Sequence, residues 1–210
     1  IMKKLIASLF VGSCLFNPTF AHPNPNSYEA MQCMKLRECN DEVYELVAED
    51  YTGELKKILE NLHKMEVRSY EAPGKYFVED YRALYYADKN TIFLNTEYIN
   101  EDQVLIEVMR HEGWHAAQDC MGGSIANSDL MSILDHNTIP SDIIEETISR
   151  YGVDPTVVRL EREAIWAMYE PWMTIEALEA CNSDVPIWET YFPPKKTWSY
   201  LYWNGHLTIE

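Results

Sequence analysis

Apolar residues recur at helical spacing in two long stretches of the chain. In residues 54–65 they fall three and four positions apart, which places them on one face of a helix. Residues 104–120 are apolar on most sides, a pattern typical of a helix buried in the core. Asn100 is predicted to cap this second helix, with Gln103 in the capping-box position, and Gly122 is predicted to end it.

Between these helices the pattern changes to β-branched and aromatic side chains, over residues 66–100. Two such runs, residues 81–87 and 91–95, flank a turn sequence at residues 88–90 and predict a β-hairpin. We expect this hairpin to belong to a small antiparallel sheet that packs on the buried helix.

Three further helices are predicted in the C-terminal half. A helix of residues 141–150 precedes a stronger helix of residues 156–170. Asp154 and Pro155 suit the N-cap and the first position of the stronger helix. A third helix is expected after Pro171, because proline ends or restarts a helix.

Together these elements predict an α+β fold, in which a small antiparallel sheet with a hairpin packs on a buried helix and a mainly helical half follows. We expect residues 1–21 to be removed and residues 22–210 to form one domain. Within that domain, residues 66–100 are β-rich, residues 101–182 are helical, and residues 183–210 form a tail rich in aromatic side chains.

Residues 1–21 have the pattern of a secretory signal peptide. Lys3 and Lys4 precede an apolar run, and Ala21 offers a small-residue cleavage site. The run is too short to span a bilayer, so we expect an exported protein, periplasmic or extracellular, without a membrane-spanning segment after cleavage. An alternative is a lipid anchor on Cys14, which lies in a sequence resembling a lipobox.

Composition narrows the classes of partner. The chain of 210 residues contains 47% hydrophobic residues, enough for a core, and carries a net charge of −17. Binding to nucleic acid needs a basic patch that meets the phosphates, so this acidic balance argues against a nucleic-acid partner.

Four cysteines follow the predicted signal peptide, and an even number in an exported chain predicts two disulfides. Three pairings are open. We favour Cys33–Cys39, which falls within a helix predicted for residues 27–50, and Cys120–Cys181, which would tie the end of the buried helix to a later helix.

The buried helix carries the sequence His111-Glu112-Gly113-Trp114-His115. Residues four apart lie on one face of a helix, so His111 and His115 can aim ring nitrogens at a single metal ion. Glu112 is about 100° away around the helix and is placed to take a proton from a water on that ion. Buried polar groups need partners, and a metal would provide one. The motif therefore predicts a hydrolytic zinc site with one Zn2+ per chain and Glu112 as the catalytic base.

A third zinc ligand is expected downstream, because catalytic zinc usually takes three protein ligands and one water. The preferred segment is residues 159–164, which is predicted to be helical and contains Glu161 and Glu163, since two crossing helices build such a site from rigid elements. The candidates outside that segment are Glu145, Glu146, Asp135 and His136.

With these residues the chain resembles the gluzincin group of zincin metallopeptidases, in which H-E-x-x-H is completed by a glutamate on a later helix, often as E-x-x-A-D. Glu161 to Ala164 matches E-x-x-A, so the resemblance implies that Glu161 is the third ligand. Ile165 stands where the family often has an aspartate that orients a zinc-bound histidine. The resemblance covers roughly residues 74–180 and implies a zincin-like fold.

The resemblance implies a secreted zinc-dependent peptidase that acts on a peptide or protein substrate. In such an enzyme zinc activates a water and polarises the scissile carbonyl, while Glu112 takes the proton of the water and passes it to the leaving amine. Zincins commonly hold an extended substrate along the strand before the motif helix, which implies Ile92–Asn95 as a substrate-binding edge. The candidates for stabilising the oxyanion are Tyr151, Tyr169 and His136.

The alternative function is a disulfide-stapled extracytoplasmic binding or structural protein that keeps the zincin fold without turnover. Ile165 in place of the aspartate and the aromatic tail favour this alternative. Glu112 favours the peptidase, because a structural zinc site has no use for that acid.

Overall fold

The computed structural model describes residues 11–14, 43–77, 81–123 and 129–184, which form five α-helices and five β-strands. The helices are α1 (Gly53–Lys64), α2 (Asp102–Met121), α3 (Ser141–Tyr151), α4 (Pro155–Tyr169) and α5 (Met173–Cys181). The strands are β1 (Val11–Cys14), β2 (Tyr44–Glu45), β3 (Arg68–Ala72), β4 (Tyr81–Tyr86) and β5 (Thr91–Asn95). Helices predominate beside one small sheet, which confirms the predicted α+β class.

The strands form one mixed sheet in the order β1-β4-β5-β3-β2. The predicted hairpin is confirmed, because β4 and β5 run antiparallel with Leu84 opposite Phe93. The prediction that the sheet is antiparallel is wrong, because β3 pairs parallel to β5, with Tyr70 opposite Phe93. Alternation of side chains assigns the two faces of a strand but not its direction. Here the chain passes from β3 to β4 first, and β5 then returns between them.

Residues 43–47 are not helical, although a helix was expected to continue to Asp50, and Ala48–Asp50 form only a short 3₁₀ helix. β2 pairs antiparallel with β3, and the N–H of Leu46 donates to the carbonyl of Ser69 at 2.9 Å. Pairing with the sheet thus overrides local helix propensity, which is a weak preference. The earlier part of that predicted helix lies outside the described residues, as do Cys33 and Cys39 with the disulfide predicted between them.

Helix α2 is the centre of the core. It packs against α1, α4, α5 and strand β4, and every residue from Val108 to Asp119 is buried. Trp114 has no exposed surface. Gly113 permits the close approach of α5, since a Cβ at this position would lie 2.9 Å from Cγ2 of Thr174. The prediction of a buried helix is therefore confirmed, and its neighbours come from both halves of the chain.

The N-terminus of α2 differs from the prediction by one residue. Glu101, and not Asn100, occupies the N-cap position, and no side chain caps the helix. The predicted capping box is also wrong, because Gln103 donates to the carboxylate of Glu107, 2.7 Å away and one turn further along α2. An exposed glutamine has this partner within reach on the helix surface.

The caps predicted for α4 are confirmed. The carboxylate of Asp154 accepts hydrogen bonds from the amides of Thr156 and Val157, at 2.9 and 3.2 Å, and Pro155 takes the first helical position. The preceding helix α3 ends at Gly152, whose φ of 79° suits glycine. Asp154 and Pro155 fix where α4 begins, and therefore the position of Glu161 along this helix.

A disulfide joins Cys120 at the end of α2 to Cys181 at the end of α5, with Cα atoms 6.2 Å apart. This confirms the predicted pairing of the two later cysteines. The bond holds the C-terminal end of the motif helix against α5.

Strand β1 lies inside the segment predicted to be a signal peptide. Val11 and Gly12 pair antiparallel with Tyr85 and Leu84 of β4. The signal peptide, like the alternative lipid anchor at Cys14, stays a prediction. In the described part of the chain no helix is long and apolar enough to cross a membrane. The aromatic tail lies outside the described residues from residue 185 onward.

Candidate metal centre

Helices α2 and α4 bring three ligand-type side chains together. His111 and His115 project from α2 and Glu161 from α4, and their ligand atoms all lie within 4.8 Å of one another. The two histidine Nε2 atoms are 3.2 Å apart. Nε2 of His111 lies 3.4 Å from Oε2 of Glu161, and Nε2 of His115 lies 3.8 Å from Oε1 of the same carboxylate. The structure thus places Glu161 where the resemblance implies a third ligand.

These spacings fit a small tetrahedral ion. Ligand atoms about 2.0–2.1 Å from such an ion lie about 3.3 Å from one another. The observed separations of 3.2, 3.4 and 3.8 Å are close to that value.

Burial sets the protonation of the two histidines. Burial lowers the pKa of His111 to about 3, with a contribution from Arg150, while the backbone of Ala164 opposes the shift. Burial also lowers the pKa of His115 to about 4, although Glu161 favours the charged ring. Both rings are therefore neutral at neutral pH, the form in which imidazole binds metal ions.

Glu161 is a buried carboxylate with too few donors. Only 2% of it is exposed, and its Oε2 has no hydrogen-bond partner among the described residues. Burial raises its pKa to about 7, against the opposing effects of His115 and the Tyr151 hydroxyl. A buried acceptor without a donor costs about 1–3 kcal/mol. A cation would remove this cost, so the residues present fit a metal ion.

His115 contacts Gln118, which lies almost one turn further along α2. Nδ1 of His115 lies 2.7 Å from Oε1 of Gln118. The amide nitrogen of Gln118 donates to the carbonyl of Leu160 and to Oε2 of Glu163, both at 3.0 Å. Ile165, at the position of the family's aspartate, is buried in the core. Gln118 was not predicted to contact the site, although its spacing of three from His115 places it on the same face of the helix.

Glu163, the predicted alternative ligand, is occupied by other partners. Its donors come from α2 and from residues 132–134. They are Trp114 Nε1 at 3.3 Å, Gln118 Nε2, Ile133 N and Leu134 N at 3.0 Å, and the Ser132 hydroxyl. Glu163 therefore fastens this segment to α4, and the structure does not place it among the three clustered ligands.

The other three acids considered as ligands lie outside the cluster, and the side chain of His136 is not among those described. Glu145 is exposed on α3, and Glu146 is ion-paired with Arg150 on the same helix. Asp135 caps a short 3₁₀ helix that begins at His136. None of the three acids belongs to the cluster found among the described side chains.

The two tyrosines predicted as oxyanion donors differ in their contacts. The hydroxyl of Tyr169 donates to Glu146 at 2.8 Å. The hydroxyl of Tyr151 opposes the rise in the pKa of Glu161, the acid of the candidate site. Of the two tyrosines, Tyr151 is therefore the one that acts on the candidate site.

The predicted substrate-binding edge at Ile92–Asn95 is wrong. These residues belong to β5, which lies between β4 and β3 and is paired along both edges. All five residues of β5 are buried. The strand nearest the motif helix in sequence is thus a central strand, because β3 pairs with it on the side away from the hairpin partner.

A second buried polar cluster lies next to the motif and was not predicted. Nε and Nη2 of Arg110 donate to the two oxygens of Glu54 at 2.8 and 2.7 Å, and Nη1 donates to the carbonyl of Met168 at 3.1 Å. The N–H of Trp172 donates to Glu54 at 2.8 Å, and the Thr174 hydroxyl donates to the carbonyl of Arg110 at 2.7 Å. This Arg110 cluster ties α2 to α1, α5 and the end of α4.

Comparison of the chain with protein-family models, with curated proteins and with solved structures found no match. The chemistry of the site is therefore the basis for a function.

Proposed function

We propose that this chain is a zinc-dependent peptidase, and that it acts after export from the cell. The observation that carries the proposal is the convergence of His111 and His115 of α2 with Glu161 of α4, whose ligand atoms lie within 4.8 Å of one another. Helix α2 also holds Glu112. Three protein ligands leave a position for water, which distinguishes a catalytic zinc site from a closed structural one.

The donor set supports zinc as the metal. Two neutral imidazoles and one carboxylate are a set found in zinc peptidases. Zinc held there would supply a Lewis acid and lower the pKa of a water to about 7.

The residues of the chain have separate roles in this mechanism. His111 and His115 would hold the ion through Nε2, and Glu161 through its carboxylate. Glu112, which has no exposed surface, would take a proton from the attacking water and return it to the leaving amine. Tyr151, which opposes the rise in the pKa of Glu161, would be the donor to a developing oxyanion.

Burial of the site favours a second candidate function. The three ligand residues are at most 2% exposed, and Glu112 is fully buried. A peptide bond reaches such a group only after the segments around it move. The alternative is therefore an extracytoplasmic binding or structural protein in which a buried metal stabilises the fold without turnover.

The test compares two Glu→Gln variants on the same helix. Metal content and hydrolysis of a quenched-fluorescent peptide library are measured for the zinc-loaded parent, for Glu112→Gln and for Glu107→Gln. Glu107 is the matched control, since its carboxylate contacts Gln103 on the outside of α2. We expect Glu112→Gln to retain zinc and to lose at least about 100-fold in hydrolysis rate, and Glu107→Gln to match the parent.

Either of two outcomes would refute the peptidase. One is hydrolysis by Glu112→Gln at the parental rate. The other is a parent that binds one zinc per chain and cleaves no peptide in the library, which would support the binding or structural protein.

A further inference from the structure

We propose that Gln118 is a positioning residue that fixes the tautomer of His115, and that Glu163 holds Gln118 in the required orientation. The inference deepens the proposed function, since it rests on the same metal site. It gives a role to Gln118 and Glu163, two buried polar residues that lie beside the site without joining it.

The orientation of the Gln118 amide follows from its partners. Its nitrogen lies 3.0 Å from the carbonyl oxygen of Leu160 and 3.0 Å from Oε2 of Glu163. A carbonyl only accepts hydrogen bonds, and Glu163 accepts from two or more donors at each oxygen. The NH2 group must therefore face these two acceptors, and the amide oxygen must face His115.

The tautomer of His115 follows from that orientation. The amide oxygen lies 2.7 Å from Nδ1 of His115, and an oxygen without hydrogens can only accept. Nδ1 therefore carries the single proton of the neutral ring, and Nε2 keeps its lone pair. Nε2 is the atom that faces His111 and Glu161. A proton on Nε2 instead would prevent His115 from acting as a ligand there.

Glu163 also connects this arrangement to a loop. The oxygen that accepts from Gln118 also accepts from Trp114 and from the amide of Ile133, and the other oxygen accepts from Ser132 and Leu134. The position of residues 132–134 and the orientation of Gln118 thus depend on the same carboxylate.

The primary test replaces Gln118 with methionine, which is similar in size and lacks the amide. In metal-free protein the 15N chemical shifts of the His115 ring distinguish a protonated from an unprotonated nitrogen. We expect Nδ1–H alone in the parent and a mixture of tautomers in Gln118→Met. Zinc affinity, measured by competition with a chelator, should fall about 10- to 100-fold, as for other residues that orient metal ligands.

Asp119→Asn is the matched control. Asp119 is the next residue on α2 and is equally buried, but its partner is the hydroxyl of Tyr85, at 2.7 Å. This variant should leave both the His115 tautomer and the zinc affinity at parental values.

A pair of variants at Glu163 keeps the proposal testable if Gln118→Met does not fold. Glu163→Gln can keep an oxygen toward Gln118 and turn its NH2 toward the Ser132 hydroxyl, which can accept, with loss of the hydrogen bond from the Leu134 amide. It should therefore retain the tautomer and stay within a few-fold of the parental zinc affinity. Glu163→Met removes the acceptor, and should show mixed tautomers and weaker zinc binding.

Parental ring shifts and parental zinc affinity in Gln118→Met, or in Glu163→Met, would overturn the inference. Its failure is separable from failure of the proposed function. If the parent itself binds no zinc, the peptidase proposal fails, whereas the ring shifts of the metal-free protein still decide whether Gln118 sets the tautomer.

Discussion

Two buried polar clusters lie side by side along α2, and they differ in how completely their atoms are paired. In the Arg110 cluster, both oxygens of Glu54 accept from the guanidinium, and one also accepts from the backbone of Trp172. In the candidate metal site of His111, His115 and Glu161, the Nε2 atoms of the two uncharged histidine rings lie 3.2 Å apart. One oxygen of Glu161 there has no hydrogen-bond partner among the described residues.

The difference separates a structural role from a functional one. A buried ion pair with all its hydrogen bonds satisfied holds the helices that supply it. A buried acceptor without a donor costs about 1–3 kcal/mol, and no hydrogen bond from the described residues offsets that cost at Oε2 of Glu161. Groups of the second kind cluster at functional sites, where a ligand satisfies them. Glu161 and Glu163 repeat the contrast within α4, since the two acids are two residues apart and only Glu163 is saturated with donors.

The largest expected effect is on the free energy of unfolding, which should respond differently when a charge is removed from each of the two clusters. Arg110→Met leaves the carboxylate of Glu54 buried without its cation, and should lower the free energy of unfolding by about 3–5 kcal/mol. Glu161→Gln removes a carboxylate that burial already disfavours, so metal-free protein at pH 8 should lose no stability. Zinc binding should be lost in Glu161→Gln. Urea denaturation of metal-free protein and chelator competition measure the two quantities. Equal destabilisation by both variants would contradict the comparison.

Local signals allowed much of the fold to be predicted. The turn at residues 88–90 gave the hairpin, and Asp154 with Pro155 gave the start of α4, because these effects act within a few residues. The pair Cys120–Cys181 was also predicted, as part of one of the three connectivities open to the four later cysteines. The parallel pairing of β3 was not predicted, since strand direction depends on the path of the whole chain.

The candidate site could be predicted from the sequence to a similar extent. The spacing of His111 and His115 on one helix is a local property, and Glu161 followed from a resemblance in a short motif. The Arg110–Glu54 pair was not predicted, because its partners are 56 positions apart and only tertiary packing brings them together.

The disulfide tests whether the C-terminal end of α2 needs a link to α5 like the one that Arg110 provides near the middle of the helix. Replacing Cys120 and Cys181 together by alanine should lower the free energy of unfolding by about 2–4 kcal/mol, since the bond closes a loop over a sequence separation of 61 residues. Zinc affinity should change much less than stability, because the three ligands are held by the α2–α4 contact. Reduction-sensitive thermal unfolding of the parent provides the control. A loss of zinc binding in the folded alanine variant would show that the disulfide also shapes the site.

The pH dependence of stability should distinguish the clusters further. Burial raises the pKa of Glu161 from 4.5 to about 7, so the folded state favours the protonated acid. Its contribution to stability is fully present below pH 4.5 and is lost as the pH rises toward 7. Each pKa unit corresponds to about 1.4 kcal/mol, giving a loss of roughly 3 kcal/mol across that range.

The histidines titrate in the opposite sense. Their pKa values are lowered to about 3 and 4, so the stability they contribute is lost as the pH falls below about 6.5. Subtracting the pH profile of metal-free Glu161→Gln from that of the parent removes this background. A flat difference between pH 4.5 and 7 would mean that Glu161 is not held at a raised pKa.

The smallest effect should come from Gly113, where the two clusters meet. A Cβ at Gly113 would lie 2.9 Å from Cγ2 of Thr174, the residue whose hydroxyl donates to the carbonyl of Arg110. Gly113→Ala gains about 1 kcal/mol of helix propensity but overpacks the α2–α5 contact by about 1–3 kcal/mol. We therefore expect a net loss of stability of about 1 kcal/mol.

Thr174→Ser removes only Cγ2 and keeps the hydroxyl donor, so it provides the space that alanine needs. In the Thr174→Ser background, Gly113→Ala should become neutral or stabilising, which gives a double-mutant coupling energy of about 1 kcal/mol or more. Additive effects of the two substitutions would mean that the contact with α5 does not limit the size of the side chain at position 113. Coupled effects would show that the contact of Thr174 with α2, which also holds the Arg110 cluster, determines which residue fits at position 113 between the two histidines.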